Sequence, residues 1–244
     1  IGKLPIGRIQ YSTFSLWDTF RAWNPLMRLI DTDLVNHMIN SFLDIYDASG
    51  ELPIWPLSAG ETGTMIGYHS VSVIADAYLK GIRSFDAEKA LEAMMISSDK
   101  NKKGSDFYVK CGFFPSNIKR ESVSCLLEYA YDDWCIARMA QEMGKEDIYK
   151  KYIERSQNYI NVFDGATRFF RGKRMDGNWE SPFNPLAVGR AYTEATAWQY
   201  RFFVPHDVNG MIQLFGGKEE FVAALDDIFN TDAEIHGNLV DITG

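Results

Sequence analysis

Apolar residues recur every three or four positions along most of this chain, and this spacing restricts its possible folds more than any other feature. In the segment DTDLVNHMINSFLDIY, residues 31–46, the spacing places the apolar side chains on one face of a helix. Asp86 and Gly144 lie where helices would begin and end. The pattern predicts an all-α chain of about eight or nine helices, many joined as hairpins. The further helical segments are residues 69–82, 86–96, 121–144 and 145–163, and about 194–203, 206–215 and 218–229.

Strand signals are weak and confined to two short stretches between loops, YVKCGFF and TRFFRGK. Long loops at about 51–67, 103–120 and 164–191 carry Gly, Pro, Trp and Phe residues. In a ring of helix hairpins such loops gather at one end of the barrel, and functional sites are commonly carried by loops. Because no linker composition interrupts the chain, we expect residues 1–244 to form one domain.

Composition and charge argue against several classes of function. The net charge of −8 disfavours a nucleic-acid partner, which would need a basic face. No apolar run approaches the ~18 residues of a membrane span. Cys111, Cys125 and Cys135 form no CxxC pair, so a zinc knuckle is not expected, and the chain has no HExxH or phosphate-loop motif. Acidic pairs such as Asp132 and Asp133 are expected on solvated helix faces or at caps.

A first candidate site lies in the segment YTEATAWQYRFFVPHD. Thr193 is expected to cap a helix that begins with Glu194, so that Glu194 and Trp198 share a face. A carboxyl beside an indole is partly desolvated, which would raise its pKa as a general acid requires. Asp207 is expected in the first turn of the next helix, beside His206. The alternative is a helix-capping carboxylate among core aromatics.

Two further clusters combine acids with aromatic residues. In FSLWDTFRAWNPL, Asp18 either caps a helix, answered by Arg21, or binds sugar hydroxyls while Trp17 covers the C–H face of the ring. In LPIWPLSAGETGTMIGYHS, a glycine-rich loop contains Glu61 and leads to His69 at a helix start. A histidine in that position has either a structural or a catalytic role.

Together these clusters resemble the catalytic domain of glycoside hydrolase family 92, the calcium-dependent exo-α-mannosidases. The matching pieces extend over about residues 14–217 and are SLWDTFRAWNPL, LPIW with GETGTMIGYHSVSVIADAYLKGI, ESVSCLLEYAYDDWCIARMA, and YTEATAWQYRFFVPHDVNGMIQLFGG. The resemblance implies an (α/α)6 toroid barrel, incomplete in this chain, with short β-hairpin insertions in its loops. It also implies hydrolysis of terminal α-mannosides with inversion at the anomeric carbon.

The resemblance also implies roles for individual residues. Glu194 occupies the place of the general acid, and Asp18 that of a ligand of the sugar hydroxyls. The implied substrate is a mannose-containing oligosaccharide or glycoprotein glycan, as in N-glycan processing, and the implied cofactor is calcium. A periplasmic, cell-surface or secreted location would fit the family. The other positions that match pocket-lining or buttressing residues are Trp17, Glu61, His69, Trp198, His206 and Asp207.

The chain departs from the family pattern in three ways. Ala195 and Thr196 follow Glu194 where the family has Gly-Asn, and Asn24 stands where a His is common. Family members also carry a β-sandwich before this region, and a later Gly-Asn-Glu-Pro-Ser-His segment followed by the aspartates that activate water. The general base and the calcium ligands are therefore expected outside residues 1–244, and this chain alone is expected to be inactive. The alternative is a non-catalytic helical carbohydrate-binding protein or a truncated inactive paralogue.

Overall fold

The computed structural model describes residues 8–57, 60–100, 105–232 and 234. Within these ranges the chain forms eleven α-helices and two short antiparallel hairpins, which confirms the all-α prediction. Residues 58–59 of the expected loop 51–67, and residues 103–104 of the expected loop 103–120, lie outside the described residues.

The chain divides into two compact units. The first comprises Ile1–Lys100 and Asp132–Ser156, and the second comprises Asn101–Tyr131 and Gln157–Gly244. The expectation of a single domain over residues 1–244 stays a prediction.

The first unit contains the helices that the apolar spacing marked most clearly. The loop after α3 carries a two-stranded antiparallel hairpin in which Pro56 pairs with Glu61. This unit also includes the last part of the long helix α7, Ser122–Glu142. Its other elements are α1 (Leu16–Thr19), α2 (Trp23–Ile30), α3 (Thr32–Ser49), β1 (Pro56–Leu57), β2 (Gly60–Glu61), α4 (Ser70–Leu79), α5 (Ala87–Asp99) and α8 (Glu146–Arg155).

Helix α3 shows why these segments are helical. The Asp31 carboxylate caps it by accepting a hydrogen bond from the Leu34 N–H at 2.9 Å. Gly50 ends it in the left-handed conformation, at φ 78°, which a residue with a side chain adopts at a cost. Ile39 and Phe42 are fully buried, and burial of each contributes about 1.5–3 kcal/mol.

The second unit contains shorter elements and corrects two expectations. YVKCGFF does not form a strand, because Tyr108–Cys111 are the end of a helix. The helix expected at 194–203 begins at Ala197. In the hairpin, Phe163 pairs with Phe170. The elements of this unit are α6 (Ser105–Cys111), the first part of α7, most of a 3₁₀ segment (Ser156–Val162), β3 (Phe163–Asp164), β4 (Phe169–Phe170), α9 (Ala197–Tyr200), α10 (Val208–Leu214) and α11 (Lys218–Asn230).

Helix α7 is buried on nearly all sides rather than on one apolar face. Its acidic residues Glu128, Asp132 and Asp133 have no solvent exposure, so the expectation that Asp132 and Asp133 lie on solvated faces or at caps was wrong. Buried carboxylates are stable only where donors compensate the lost water. These acids therefore mark the places where α7 holds neighbouring segments by hydrogen bonds.

Candidate functional site

Trp17 and Asp18 lie in the single turn of α1, in the first unit. Leu16 buries its side chain and Asp18 is exposed to solvent. Asp18 lies inside this turn, so the helix-cap alternative was wrong. Arg21 instead donates its Nε–H to the Trp17 carbonyl at 3.1 Å, and its guanidinium covers the rings of Trp17 and Phe20. The turn thus exposes the Asp18 carboxylate beside the Trp17 indole, which packs against the Arg21 guanidinium.

Glu61 ties its own loop together. Its Oε2 accepts the Ile54 N–H at 2.8 Å, and its Oε1 accepts the N–H groups of Trp55 at 2.9 Å and Gly63 at 2.7 Å. The Ile54 carbonyl in turn accepts the Leu16 N–H at the start of α1, at 3.5 Å. The carboxylate therefore supports the loop that borders α1.

His69 precedes α4 and is almost completely buried, with 1% of its surface exposed. Its Nδ1 lies 2.9 Å from Oδ1 of Asp132, and its ring stacks on Phe20 with centroids 4.0 Å apart. The other carboxylate oxygen of Asp132 accepts the Tyr68 N–H at 2.8 Å. Through Phe20, the structure connects His69 with the α1 turn.

Asp133, the next residue of α7, anchors the same segment from a second direction. It accepts the Tyr68 hydroxyl at 2.7 Å and two N–H groups of Arg155 at 2.6 and 2.8 Å. Arg155 also contacts Asp99 at 2.7 Å. Burial works to raise the pKa of Asp99, but Lys151 and Arg155 outweigh it and hold that pKa below its ordinary value.

Glu194 lies in the second unit, in the loop before α9 and not on a helix. Thr196 caps α9 instead: its side chain bonds the Gln199 N–H, and the Gln199 side chain accepts the Thr196 N–H at 2.8 Å. This reciprocal pair satisfies two backbone donors at once, which explains why the helix begins three residues later than expected. Glu194 and Trp198 therefore do not share a helix face.

The backbone of Glu194 is strained and firmly held. Its φ of 48° is in the left-handed region, which costs a non-glycine residue of order 1–3 kcal/mol. The preceding N–H, of Thr193, donates to the Ser124 hydroxyl of α7 at 2.8 Å, and the following carbonyl, of Ala195, accepts the Gly189 N–H at 2.9 Å. Glu194 is exposed while both neighbours are buried. The Glu194 carboxylate is thus exposed on a loop whose backbone is strained and is held by a hydrogen bond on each side.

Trp198 packs inside the second unit. Its ring meets Phe169 edge-on at 5.1 Å, and the Arg201 guanidinium lies 4.8 Å from its centroid. Burial lowers the pKa of Arg201 from its ordinary value, although Asp227 partly offsets this effect. Trp198 therefore packs against β4 and Arg201. The same α9 turn is held by the Tyr200 hydroxyl, which donates to Glu128 at 3.3 Å.

Asp207 is the cap of α10 and not a residue of its first turn. Its carboxylate accepts the Gly210 N–H and the Tyr159 hydroxyl, each at 2.8 Å. His206 is half-buried, with its ring 5.7 Å from Tyr159 and 6.3 Å from Tyr131. Both residues lie in the second unit with Glu194.

Sequence reasoning missed the buried polar residues of α7. Ser124, Glu128 and Asp132 recur every four residues along α7, and each bonds one of the motifs described above. That spacing of polar residues is the signal that could have found them.

Among the described residues, no group of three or more His, Cys, Asp or Glu side chains could hold a metal ion. The described residues therefore do not fit the calcium ion that the family resemblance implies. In the same part of the chain, every helix is too short or too polar to cross a membrane.

Comparison with known proteins adds independent evidence. The profile of the glycosyl hydrolase family 92 catalytic domain matches residues 4–243. A family GH92 α-mannosidase from Bacteroides thetaiotaomicron, solved with mannoimidazole, matches with a TM-score of 0.90 and 39% identity, over 95% of this chain and 32% of that one. A family GH92 inverting mannosidase from the same organism matches with a TM-score of 0.86 and 38% identity, over 89% of this chain and 30% of that one.

A curated relative described as an uncharacterized secreted glycosidase, from Arthroderma benhamiae, is 30% identical over 236 residues, covering 80% of this chain and 30% of the relative. This chain thus spans about three tenths of the length of these relatives. The structural matches confirm the fold class, an all-α, incomplete (α/α)6 toroid barrel with short β-hairpins in its loops. Because the profile covers nearly every residue, the chain belongs to glycosyl hydrolase family 92.

Proposed function

We propose that this chain is part of an inverting α-mannosidase that removes terminal mannose from mannose-containing oligosaccharides or glycoprotein glycans. Membership of family 92 supports glycoside hydrolysis, and the mannoimidazole-bound relative supports a mannose-type ligand. The relative named as an inverting mannosidase supports inversion. The relative named as secreted supports a location outside the cytoplasm.

In this proposal Glu194 is the general acid. The observation that carries it is the strained backbone of Glu194, which is exposed between buried neighbours and held by hydrogen bonds on both sides. Strain of this kind persists where the surrounding structure imposes it and is concentrated at active sites. A carboxyl held in one place can protonate the glycosidic oxygen as the bond to the anomeric carbon breaks.

Inversion also requires a second carboxylate, about 6.5–9.5 Å from the acid, to activate a water on the opposite face of the sugar. We place this base, and the calcium ligands, in segments outside residues 1–244.

Asp18 is the proposed ligand of paired sugar hydroxyls, with Trp17 covering the C–H face of the ring. The exposure of the Asp18 carboxylate, on a turn where Arg21 packs against Trp17, supports this role. Glu61, His69, Trp198, His206 and Asp207 act as buttresses, since each bonds or packs within the protein.

The test is Glu194→Gln in the complete enzyme. We expect hydrolysis of a natural mannoside to fall by about two to four orders of magnitude, with mannose binding retained. An aryl mannoside with a good leaving group should lose much less, because its departure needs little protonation. Glu219→Gln, an exposed change on α11, is the matched control. A wild-type rate on the natural substrate would exclude Glu194 as the acid.

A second candidate function is mannose binding without catalysis. The departures at Ala195 and Thr196 favour it, since Thr196 is committed to capping α9. Calorimetry with methyl α-mannoside, run beside the activity assay on the complete protein, separates the two functions. Binding without turnover under all metal conditions would support the non-catalytic alternative.

A further inference from the structure

Asp132 is a buried acid for which the proposed mechanism has no use. It lies on α7 with no solvent exposure, yet both its oxygens face the segment just before α4. Oδ2 accepts the Tyr68 N–H at 2.8 Å, and Oδ1 lies 2.9 Å from Nδ1 of His69. One side chain thus holds two successive residues of a family motif.

The chemistry of this pair determines where the imidazole carries a proton. Oδ2 of Asp132 accepts the Tyr68 N–H, and if the carboxylate is ionised Oδ1 also only accepts, which makes Nδ1 of His69 the donor. In a neutral imidazole, a proton on Nδ1 leaves the lone pair on Nε2. Asp132 therefore selects the tautomer of His69 as well as its orientation.

The surrounding backbone is shaped around this ring. Gly67 has a φ of 77°, and a Cβ at this position would collide with Nε2 of the imidazole. A glycine here gives both the left-handed conformation and the space for the ring. The imidazole is therefore confined from the backbone side as well as by Asp132.

The stacking of the imidazole on Phe20 connects its position with α1. The ring lies nearly parallel to Phe20, with 18° between their planes and 4.0 Å between centroids. Phe20 directly follows α1, and the Arg21 guanidinium covers both Phe20 and Trp17, at 4.8 and 5.1 Å. A tilt of the imidazole would therefore shift Phe20 and, through Arg21, the ring of Trp17 in the turn that carries Asp18.

We propose that Asp132 is a positioning residue for the sugar site. By fixing the tautomer and tilt of His69, it sets, through Phe20, the turn that presents Trp17 and Asp18 to a terminal α-mannoside. This inference rests on the proposed function, because it takes Asp18 as a ligand of mannose hydroxyls. Asp132 itself touches no substrate.

The first test reads the tautomer directly. In the complete enzyme, ¹⁵N NMR of histidine-labelled protein reports the tautomers, and His69→Gln identifies the His69 signal by its loss. We expect wild-type Nδ1 to carry a proton. In Asp132→Asn, the amide oxygen keeps the Tyr68 N–H and the amide N–H₂ faces the imidazole, so the proton should move to Nε2.

The wild-type spectrum alone can overturn the proposal, even if Asp132→Asn fails to fold. A neutral His69 protonated only on Nε2 in the wild type would contradict the selection of the tautomer by Asp132. An unchanged His69 signal in folded Asp132→Asn would contradict it as well.

The second test asks whether the tautomer matters for the site. In the complete enzyme, Asp132→Asn should raise the KM for a mannoside about tenfold, with a smaller change in kcat, because ground-state binding by Asp18 is misaligned. Tyr68→Phe is the matched control, since it removes the neighbouring bond to Asp133 and leaves the Asp132–His69 contact in place. It should lower the Tm but leave the KM unchanged.

The outcomes separate this inference from the proposed function. A reversed tautomer with an unchanged KM would refute the positioning role while leaving the mannosidase proposal intact. An equal rise of the KM in Tyr68→Phe would refute it too, since general destabilisation would then explain both variants. Absence of any mannoside binding or turnover by the wild-type enzyme would refute the proposed function, whatever the NMR result.

Discussion

Asp207 illustrates how one carboxylate can link a helix start to a distant tyrosine. Burial works to raise the pKa of this group. The hydrogen bonds from the Gly210 N–H, Tyr159 and Gln157, together with the nearby His206, outweigh burial and hold its pKa below the ordinary value. The folded protein therefore stabilises the ionised carboxylate of Asp207 more than the unfolded chain does.

This shift predicts a pH-dependent contribution to stability. Because the folded pKa lies below the unfolded one, the contribution is present above the unfolded pKa of about 4 and is lost as the pH falls through the folded pKa. Asn caps helices about as well as Asp, so Asp207→Asn removes mainly the charge. We expect it to cost about 0.3–1 kcal/mol at pH 7, since solvent screens this partly exposed group, and less near pH 3, measured by urea unfolding.

Asp207→Ala is the companion variant, since it removes the cap as well as the charge. It should remain destabilised at both pH values. A gap between wild type and Asp207→Asn that is equal at pH 7 and pH 3 would show that the charge contributes nothing.

At the scale of elements, α7 combines a buried apolar helix with polar anchors. Its Ser124 hydroxyl accepts the Thr193 N–H beside Glu194. Ser122, two residues earlier, is equally buried, but its hydroxyl has no hydrogen-bond partner among the described residues. The two residues thus have the same type of side chain, lie on the same helix and are both buried, but only Ser124 accepts the Thr193 N–H.

This difference predicts opposite outcomes for the same substitution. Ser124→Ala leaves a buried N–H unsatisfied and should lower the free energy of unfolding by about 1–3 kcal/mol. Ser122→Ala removes an uncompensated hydroxyl and should be neutral or slightly stabilising. Chemical denaturation of both variants gives the comparison, and equal losses would show that the bond to Thr193 does not anchor the loop.

At the scale of the whole molecule, the chain passes between the two compact units three times, and the second passage falls within α7. A helix propagates cooperatively along its length, so unfolding of one part of α7 weakens the remainder. We therefore expect residues 1–244 to unfold as one domain, in a single calorimetric transition whose van't Hoff and calorimetric enthalpies agree. Two resolved transitions would show that the units unfold separately.

The positions of the main helices follow from the sequence by itself. Helices α3, α4 and α5 lie where the apolar spacing predicts them, and Asp86 caps α5 as expected, accepting the Lys89 N–H at 3.0 Å. Such features depend on residues a few positions apart, so they can be read from the chain alone. The motifs around Asp18, Glu61, His69 and Glu194 likewise sufficed to identify the family.

Only the tertiary structure decided how those motifs are held. Asp132 is buried because its partners Tyr68 and His69, more than sixty residues earlier, supply donors that compensate for the lost water. Glu194 lies before α9 because the reciprocal bonds of Thr196 and Gln199, with the anchor from Ser124, outweighed the apolar spacing that favoured an earlier start. The cost of burying a charge or straining a backbone depends on which groups the fold brings near, and local spacing does not encode that.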